Sequence, residues 1–280
     1  MDEIFIRKAL PEEVPLFIAW AGKEGWNPGI HDGECFYATD PDGWFVAVAG
    51  DEIVGTLVLT NYDDSFSFGG FYITRDDFRN RGAGWRLWTT AISHVGDRNL
   101  GGDGVYEMQD KYTKNAGFHF AYRNIRWEGT AAGSFREDLT GIADISFKEV
   151  LDYDSLHFPA ERESFLRKWL DMPDSTALAY TGRNGAVEGY GVIRKCLEGH
   201  KVGPLFADSE EIAEMILEGL TSSVRGETFY FDTPEINKEA VEMAKRRNMN
   251  EVFGTARIYT GEIPDLPVGR IFGVMTFELG

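Results

Sequence analysis

The stretch SFSFGGFYITRDDFRNRGAGWRLW, residues 65–88, carries the strongest structural signal in this chain of 280 residues. An apolar, aromatic segment typical of a β-strand leads into the turn RNRGAG at 79–84, and an amphipathic segment typical of a helix follows at once. Glycines in such a turn let several backbone N–H groups point to one place, where the helix also directs the positive end of its dipole. The stretch therefore predicts a binding site for an anionic group such as a pyrophosphate.

The strand and the helix on either side of this turn have further features. Gly69 and Gly70 interrupt an otherwise aromatic strand, which predicts a β-bulge or the close approach of another backbone or of a ligand. The glycines at 101–102 are expected to end the helical unit before a strand at 104–108, parallel to the first. Apolar residues in the helix recur at spacings of three and four, which predicts one buried stripe made of Trp85, Trp88, Ile92 and Val95.

Composition excludes several classes of protein. The 28 Lys and Arg residues against 46 Asp and Glu residues give a net charge of −18, shared equally between the two halves. Such a field repels nucleic acid and anionic lipid and favours cationic molecules such as amines. No apolar run approaches the length of a membrane span or a signal sequence, and Cys35 and Cys196 are too far apart to suggest a metal cluster. We expect a cytoplasmic globular protein with no nucleic-acid partner, no membrane partner and no metal.

The second half of the chain repeats the order of elements found in the first. A hairpin is predicted around 183–185, and a strand near 202–206 leads into a helix with Asp208 as its N-cap. However, KVGPLFADSEE at 201–211 has acidic residues where the first half has arginines, so this helix start would repel a pyrophosphate. One anion site is therefore expected. The predicted organisation is a first domain at 1–130, a linker at 131–142 and a second domain at 143–280.

The order of strand, R-x-x-G-x-G turn, helix, strand, short helix and a strand opened by Gly-Phe at 117–118 resembles the GNAT acetyltransferase superfamily. The doubled plan resembles its tandem members, with an intact first domain and a degenerate second domain that lacks the pyrophosphate loop. The resemblance covers essentially the whole chain. It implies an α/β (α+β) fold class with two GNAT-like domains, each a mixed, mostly antiparallel twisted sheet flanked by helices.

The resemblance also implies acetyl-CoA (CoA) as co-substrate. Its pantetheine arm would lie along the first strand, with the thioester beside Gly69 and Gly70. Gly82 and Gly84 leave room for phosphate to approach the backbone, and neighbouring arginines can neutralise its charge. The expected cofactor-binding residues are Phe71, Tyr72, Ile73, Thr74, Arg79, Asn80, Arg81, Gly82, Ala83, Gly84 and Trp85.

Acetyl transfer to an amine needs a base that takes a proton from the ammonium group and an acid that returns one to the thiolate. In the family, a tyrosine four residues before the glycine of the Gly-Phe strand often supplies the acid. This chain has Thr113 there, and Tyr112, one residue earlier, is our candidate acid. Candidate bases are Glu24 and Asp103, with Asp32 as a further candidate; the alternative for each is a cap, a turn residue or a surface acid.

The acceptor pocket of this superfamily lies between the early helical segment and the cofactor groove. The turn at 27–29 is expected to point an aromatic side chain and an amide into that cleft. The second domain is expected to shape substrate choice rather than chemistry. The expected acceptor-binding residues are Trp26, Asn27, His31, Asp32, Phe36 and Tyr122.

Together these features predict an N-acetyltransferase, monomeric or homodimeric, that acts on a primary amine of a small molecule such as an amino acid or an aminated metabolite. The amine would attack acetyl-CoA directly in a ternary complex. The displaced Tyr112 leaves open a CoA-binding sensor or binding module without turnover. A protein–protein scaffold with an unused anion site is the third hypothesis.

Overall fold

The computed structural model describes residues 3–106 and 117–280, and the strands in these ranges form one twisted sheet. Two neighbouring pairs, β4 with β5 and β10 with β11, are parallel, and the other pairs are antiparallel. The strands are β1 Ile4–Lys8, β2 Trp44–Ala49, β3 Glu52–Asn61, β4 Phe66–Thr74, β5 Asn99–Val105, β6 His119–Thr130, β7 Thr140–Gly141, β8 Ser175–Thr181, β9 Val187–Lys195, β10 His200–Ala207, β11 Thr228–Pro234, β12 Asn250–Tyr259 and β13 Ile271–Gly273.

Seven α-helices flank the sheet in the described ranges, which confirms the predicted fold class. None of these helices combines the length and apolar character needed to cross a membrane. The second-half helix predicted to start at Asp208 is capped instead by Ser209, whose hydroxyl accepts from the backbone N–H of Ile212. The helices are α1 Val14–Lys23, α2 Asp32–Thr39, α3 Ala83–Ala91, α4 Phe147–Asp154, α5 Glu163–Leu170, α6 Glu210–Ser222 and α7 Lys238–Arg246.

The two halves of the chain exchange strands. The sheet order is β1-β2-β3-β4-β5-β12-β6-β11-β10-β9-β8-β7, with β13 pairing with β10. Strand β12, from the second half, therefore lies between β5 and β6, which belong to the first half. Strand β6 in turn pairs with β11 of the second half. The sheets of the two halves are thus one continuous sheet, a feature that the repeat in the sequence did not predict.

Strand β4 bulges beside the glycine pair. Gly70 pairs with Val58 and Ile73 pairs with Thr56, so two residues of β4 lie opposite the single intervening residue of β3. Phe71, the first residue of the bulge, has a φ of 51°. Both alternatives foreseen for the glycine pair are confirmed, because a backbone from the end of the chain also approaches Gly70 closely.

Two local predictions about this region were wrong in part. Of the predicted stripe, Val95 is buried and Trp88 and Ile92 are half-buried against the same cluster, but Trp85 is 62% exposed. Helix α3 itself buries Ala83, Leu87 and Ala91 against the sheet. Small alanines let the helix approach β2 and β3 closely, and the larger tryptophan faces outwards. Strand β5 is Asn99–Val105 rather than 104–108, and its glycines lie inside it. At Gly101 a Cβ would lie only 3.0–3.1 Å from three aromatic rings, so glycine there makes room for packing.

Candidate active site

A cleft of about 830 Å³ opens where β4 and β5 diverge. The parallel ladder between the two strands ends at Gly69 and Gly102, and beyond it residues 70–74 and 103–105 line the opening. The turn at 79–84, before α3, forms part of the wall of the cleft. Side chains from the second half complete the lining: Phe253, Thr255, Ile258, Phe277 and Glu278.

The turn at 79–84 has the geometry of an anion site. Asn80 and Gly82 have left-handed φ angles of 61° and 83°. Helix α3 begins directly after Gly82, and no side chain caps it. Its first backbone N–H groups have no partner within the helix, and the dipole adds partial positive charge at the same place. A Cβ at Gly84 would lie 3.0 Å from both the Tyr72 and the Thr74 hydroxyl oxygens, so glycine lets β4 side chains pack over the helix start.

Arg79 is held at the mouth of the cleft by two carboxylates. Its Nη2 donates to Glu24 Oε1 at 2.6 Å, and its Nη1 lies 3.0 Å from Asp76 Oδ1. The side chain is 48% exposed, so solvent weakens both interactions. The guanidinium of Arg81 lies 5.5 Å from the Phe78 ring centroid. Glu24, a candidate base, therefore lies beside the turn and already accepts a hydrogen bond from Arg79.

Asp103, the second candidate base, lines the cleft with its side chain fully buried. It receives two hydrogen bonds from Arg257, at 3.0 and 2.7 Å, and others from Asn124 and Thr255. Burial raises the pKa of Asp103, while the Arg257 guanidinium opposes that rise. Because both oxygens accept hydrogen bonds from neighbouring strands, this carboxylate joins β5, β6 and β12 together.

Trp26 is the one member of the predicted acceptor set that lines the cleft. The side-chain amide of Asn27 instead exchanges two hydrogen bonds, both of 2.9 Å, with the backbone of Glu198 in the second half. The Nε2 atom of His31 lies 3.0 Å from a carboxylate oxygen of Asp174. The chain at this turn therefore places Trp26 in the lining of the cleft and directs the side-chain amide of Asn27 to the second half.

The remaining acceptor candidates are buried outside the lining of the cleft. Asp32, which was also a candidate base, makes two hydrogen bonds of 2.8 and 3.0 Å with Arg194, and both side chains are fully buried. Phe36 packs against the Phe71 ring at 5.9 Å in the core. Tyr122 is also buried, and burial raises the pKa of its hydroxyl.

Tyr112, the candidate acid, lies outside the described residues, as does Thr113. Sequence reasoning did not find Glu278, which lines the cleft from the end of the chain and is 2% exposed. Neither of its carboxylate oxygens has a hydrogen-bond partner among the described residues. The signal available was one acidic residue in the apolar segment GVMTFELG at 273–280.

Buried ion pairs connect the two halves behind the cleft. Arg194 of β9 pairs with Asp32 of α2, and Arg126 of β6 pairs with Asp232 of β11 at 2.7 Å. Lys201 of β10 donates to the carbonyl oxygen of Asn27 at 2.7 Å. These contacts fix the segment that carries Trp26 to the second half.

The comparisons with known proteins agree with this architecture. A model of the acetyltransferase (GNAT) family matches residues 11–134, and a model of the acetyltransferase (GNAT) domain matches residues 150–273. The chain therefore belongs to the GNAT acetyltransferase superfamily, as a tandem member with one such domain in each half.

Relatives of known sequence or structure span nearly the whole chain. The holothin acyltransferase of Pseudoalteromonas sp. (strain SANK 73390) is 26% identical over 272 residues, covering 96% of this chain and 92% of that protein. A protein from Pyrococcus horikoshii aligns with a TM-score of 0.83 at 22% identity, over 99% of this chain and 96% of its own. The tandem GNAT protein from the clavulanic acid biosynthesis pathway aligns with a TM-score of 0.66 at 15% identity, over 94% and 100%. The two structures share the fold.

Proposed function

We propose that this protein is an acyl-CoA-dependent N-acetyltransferase that transfers an acetyl group from acetyl-CoA to the primary amine of a small molecule. The observation that carries the proposal is the junction of two features. An uncapped helix start with left-handed residues at 80 and 82 lies beside a cleft where two parallel strands diverge. The first feature suits a pyrophosphate and the second suits an extended arm that ends in a thioester.

Within this cleft the pyrophosphate would bind the N–H groups at the start of α3, with Arg79 and Arg81 beside it. The pantetheine arm would lie along residues 71–74 of β4, where the ladder with β5 has ended. The thioester would then lie near the bulge. Tyr112 remains our proposed proton donor to the thiolate.

A small amine as acceptor is supported by the charge and size of the site. Among the described residues, the acidic Glu24, Asp103 and Glu278 line the cleft against one basic residue, Arg79, and the whole chain carries −18. A field of this sign attracts an ammonium ion. The cleft volume of about 830 Å³ must also hold the donor arm, which leaves room for a small acceptor. A relative that matches across both halves is a holothin acyltransferase.

The proposed function is tested by thiol release from acetyl-CoA across a panel of small amines. We expect turnover with at least one primary amine, with formation of the N-acetylated product seen by mass spectrometry. Equilibrium binding of CoA is measured in parallel by calorimetry. Tight CoA binding without thiol release from any amine would favour the alternative of a CoA-binding sensor, and absence of CoA binding would exclude both.

Arg79→Ala is expected to weaken CoA binding about tenfold, because a charge-assisted contact to phosphate is lost from a partly exposed position. The dependence of the affinity on salt should become shallower at the same time. Arg75→Ala is the matched control: Arg75 pairs with Asp77 and Glu52 outside the cleft, and its loss should leave the affinity unchanged. Equal losses in the two variants would contradict a specific role for Arg79.

A further inference from the structure

Glu278 is the carboxylate in the cleft that no neighbour in the described part of the chain satisfies. Its side chain is almost completely buried, yet neither Oε1 nor Oε2 accepts a hydrogen bond there. Glu24 and Asp103, by contrast, already receive hydrogen bonds from arginines. A buried carboxylate without donors is costly in free energy, and residues kept in that state are often those that exchange a proton or bind a ligand.

The backbone of Glu278 lies against Gly70, next to the bulge in β4. A Cβ at Gly70 would lie only 2.0 Å from the Glu278 carbonyl oxygen, so the last residues of the chain pass directly over the glycine pair. Gly69 marks the end of the ladder with β5 and hence the start of the opening. The proposed function places the thioester at this same point. The backbone of Glu278 is therefore at the reacting end of the cleft, with its carboxylate oxygens buried in the adjoining interior, whereas Glu24 lies beside the pyrophosphate turn.

The charged groups around Glu278 make their hydrogen bonds to other partners. Lys201 donates to backbone carbonyls, and Arg126 pairs with Asp232. Arg194 pairs with Asp32 through Nε and Nη2, while its Nη1 has no hydrogen-bond partner among the described residues. Burial raises the pKa of Glu278; the charges of Lys201, Arg126 and Arg194 oppose that rise, and the negative charge of Asp32 adds to it. The net direction is upward, towards the range in which a carboxylate takes a proton more readily.

We propose, on the basis of the proposed function, that Glu278 is the general base that receives the ammonium proton of the acceptor. The carboxylate takes one proton from R–NH₃⁺ and becomes a neutral carboxylic acid. The free amine attacks the thioester carbonyl carbon, the C–N bond forms and the C–S bond breaks. The second amine proton passes to the departing thiolate, giving the amide and CoA thiol, and Glu278 then releases its proton to solvent.

Glu278→Gln keeps the shape of the side chain and removes the base. With an amine that the wild-type protein acetylates, we expect kcat/KM to fall on the order of 100-fold. The affinity for CoA should stay unchanged. The wild-type kcat/KM should rise with pH as Glu278 deprotonates, and the variant should lose this acid limb. Glu278→Asp retains a carboxylate, so it should keep the acid limb at a reduced rate.

Thermal unfolding distinguishes this role from a structural one. A raised pKa means that the folded state favours the protonated form, so its stabilising effect is present at low pH and is lost as pH rises through the folded pKa. At pH 8 the ionised Glu278 therefore destabilises the folded state, and Glu278→Gln should unfold at an equal or higher temperature than the wild-type protein. A clearly lower midpoint together with weakened CoA binding would assign Glu278 a structural role and overturn the proposal.

The control variant is Glu262→Gln, which removes an exposed carboxylate outside the cleft and should leave kcat/KM and its pH profile intact. If the wild-type protein turns over and Glu278→Gln stays within threefold of it at every pH, the role of Glu278 is refuted and the proposed function stands. If the wild-type protein releases thiol with no amine, the proposed function fails and the role of Glu278 fails with it.

Discussion

A fragment that ends at residue 142, and so contains the whole pyrophosphate turn, is expected neither to fold cooperatively nor to bind CoA. Strand β12 would be missing from between β5 and β6, which do not pair with each other in the described sheet. The largest buried cluster also joins the halves, since Phe36 of α2 stacks on Phe165 and Trp169 of α5 at about 6 Å. Removal of the second half would expose these rings and the backbone edges of two strands.

The control for this truncation retains both halves of the chain and cleaves one peptide bond between them. Phe135 lies between the halves and is 82% exposed, so a protease site inserted after it should be cleaved in the native protein. The nicked chain should retain CoA binding and one cooperative thermal transition, because the exchanged strands still pair. An isolated fragment 1–142 that unfolds cooperatively and binds CoA with the affinity of the full chain would show that the first half is independent.

The features that sequence reasoning predicted are those encoded in neighbouring residues. The bulge follows from two adjacent glycines in an aromatic strand, and the left-handed turn that opens α3 follows from the six residues at 79–84. By contrast, the exposed face of α3 depends on how closely its alanines pack against the sheet. The glycines of β5 were predicted to end the helical unit before the strand. In the structure, glycine is needed there because aromatic rings of other strands, such as Phe68 and Tyr259, pack closely against the backbone, and no local pattern shows this.

The acceptor side of the cleft was predicted less well for the same physical reason. Glu278 reaches Gly70 across about two hundred residues of chain, and Thr255 reaches Asp103 because β12 inserts beside β5. No local pattern specifies an exchange of strands between two similar halves. The resemblance to the GNAT superfamily directed attention to candidates at 24–36, and the structure uses four of these, Asn27, His31, Asp32 and Phe36, to connect the halves.

Asp32→Asn is expected to lower the free energy of unfolding by about 3–5 kcal/mol, because it leaves the Arg194 guanidinium buried without its counter-charge. Both side chains have no exposed surface, and Arg194 also lies 4.4 Å from the Trp169 ring centroid. Denaturant unfolding followed by tryptophan fluorescence measures the change. Asp152→Asn, which removes an exposed partner of Lys148, is the control and should leave the unfolding midpoint unchanged.

A second substitution separates the buried charge from other causes. Asp32→Asn combined with Arg194→Met removes both charges, and most of the lost stability should return, since a buried pair replaced by apolar or neutral groups is often tolerated. If the double variant is as unstable as Asp32→Asn alone, the uncompensated charge is not the cause. Asp32 also raises the pKa of Glu278, so its neutralisation should move the acid limb of kcat/KM to lower pH. That displacement, at unchanged CoA affinity, is what we expect of a residue that acts on the reaction through Glu278 and does not contact the acceptor.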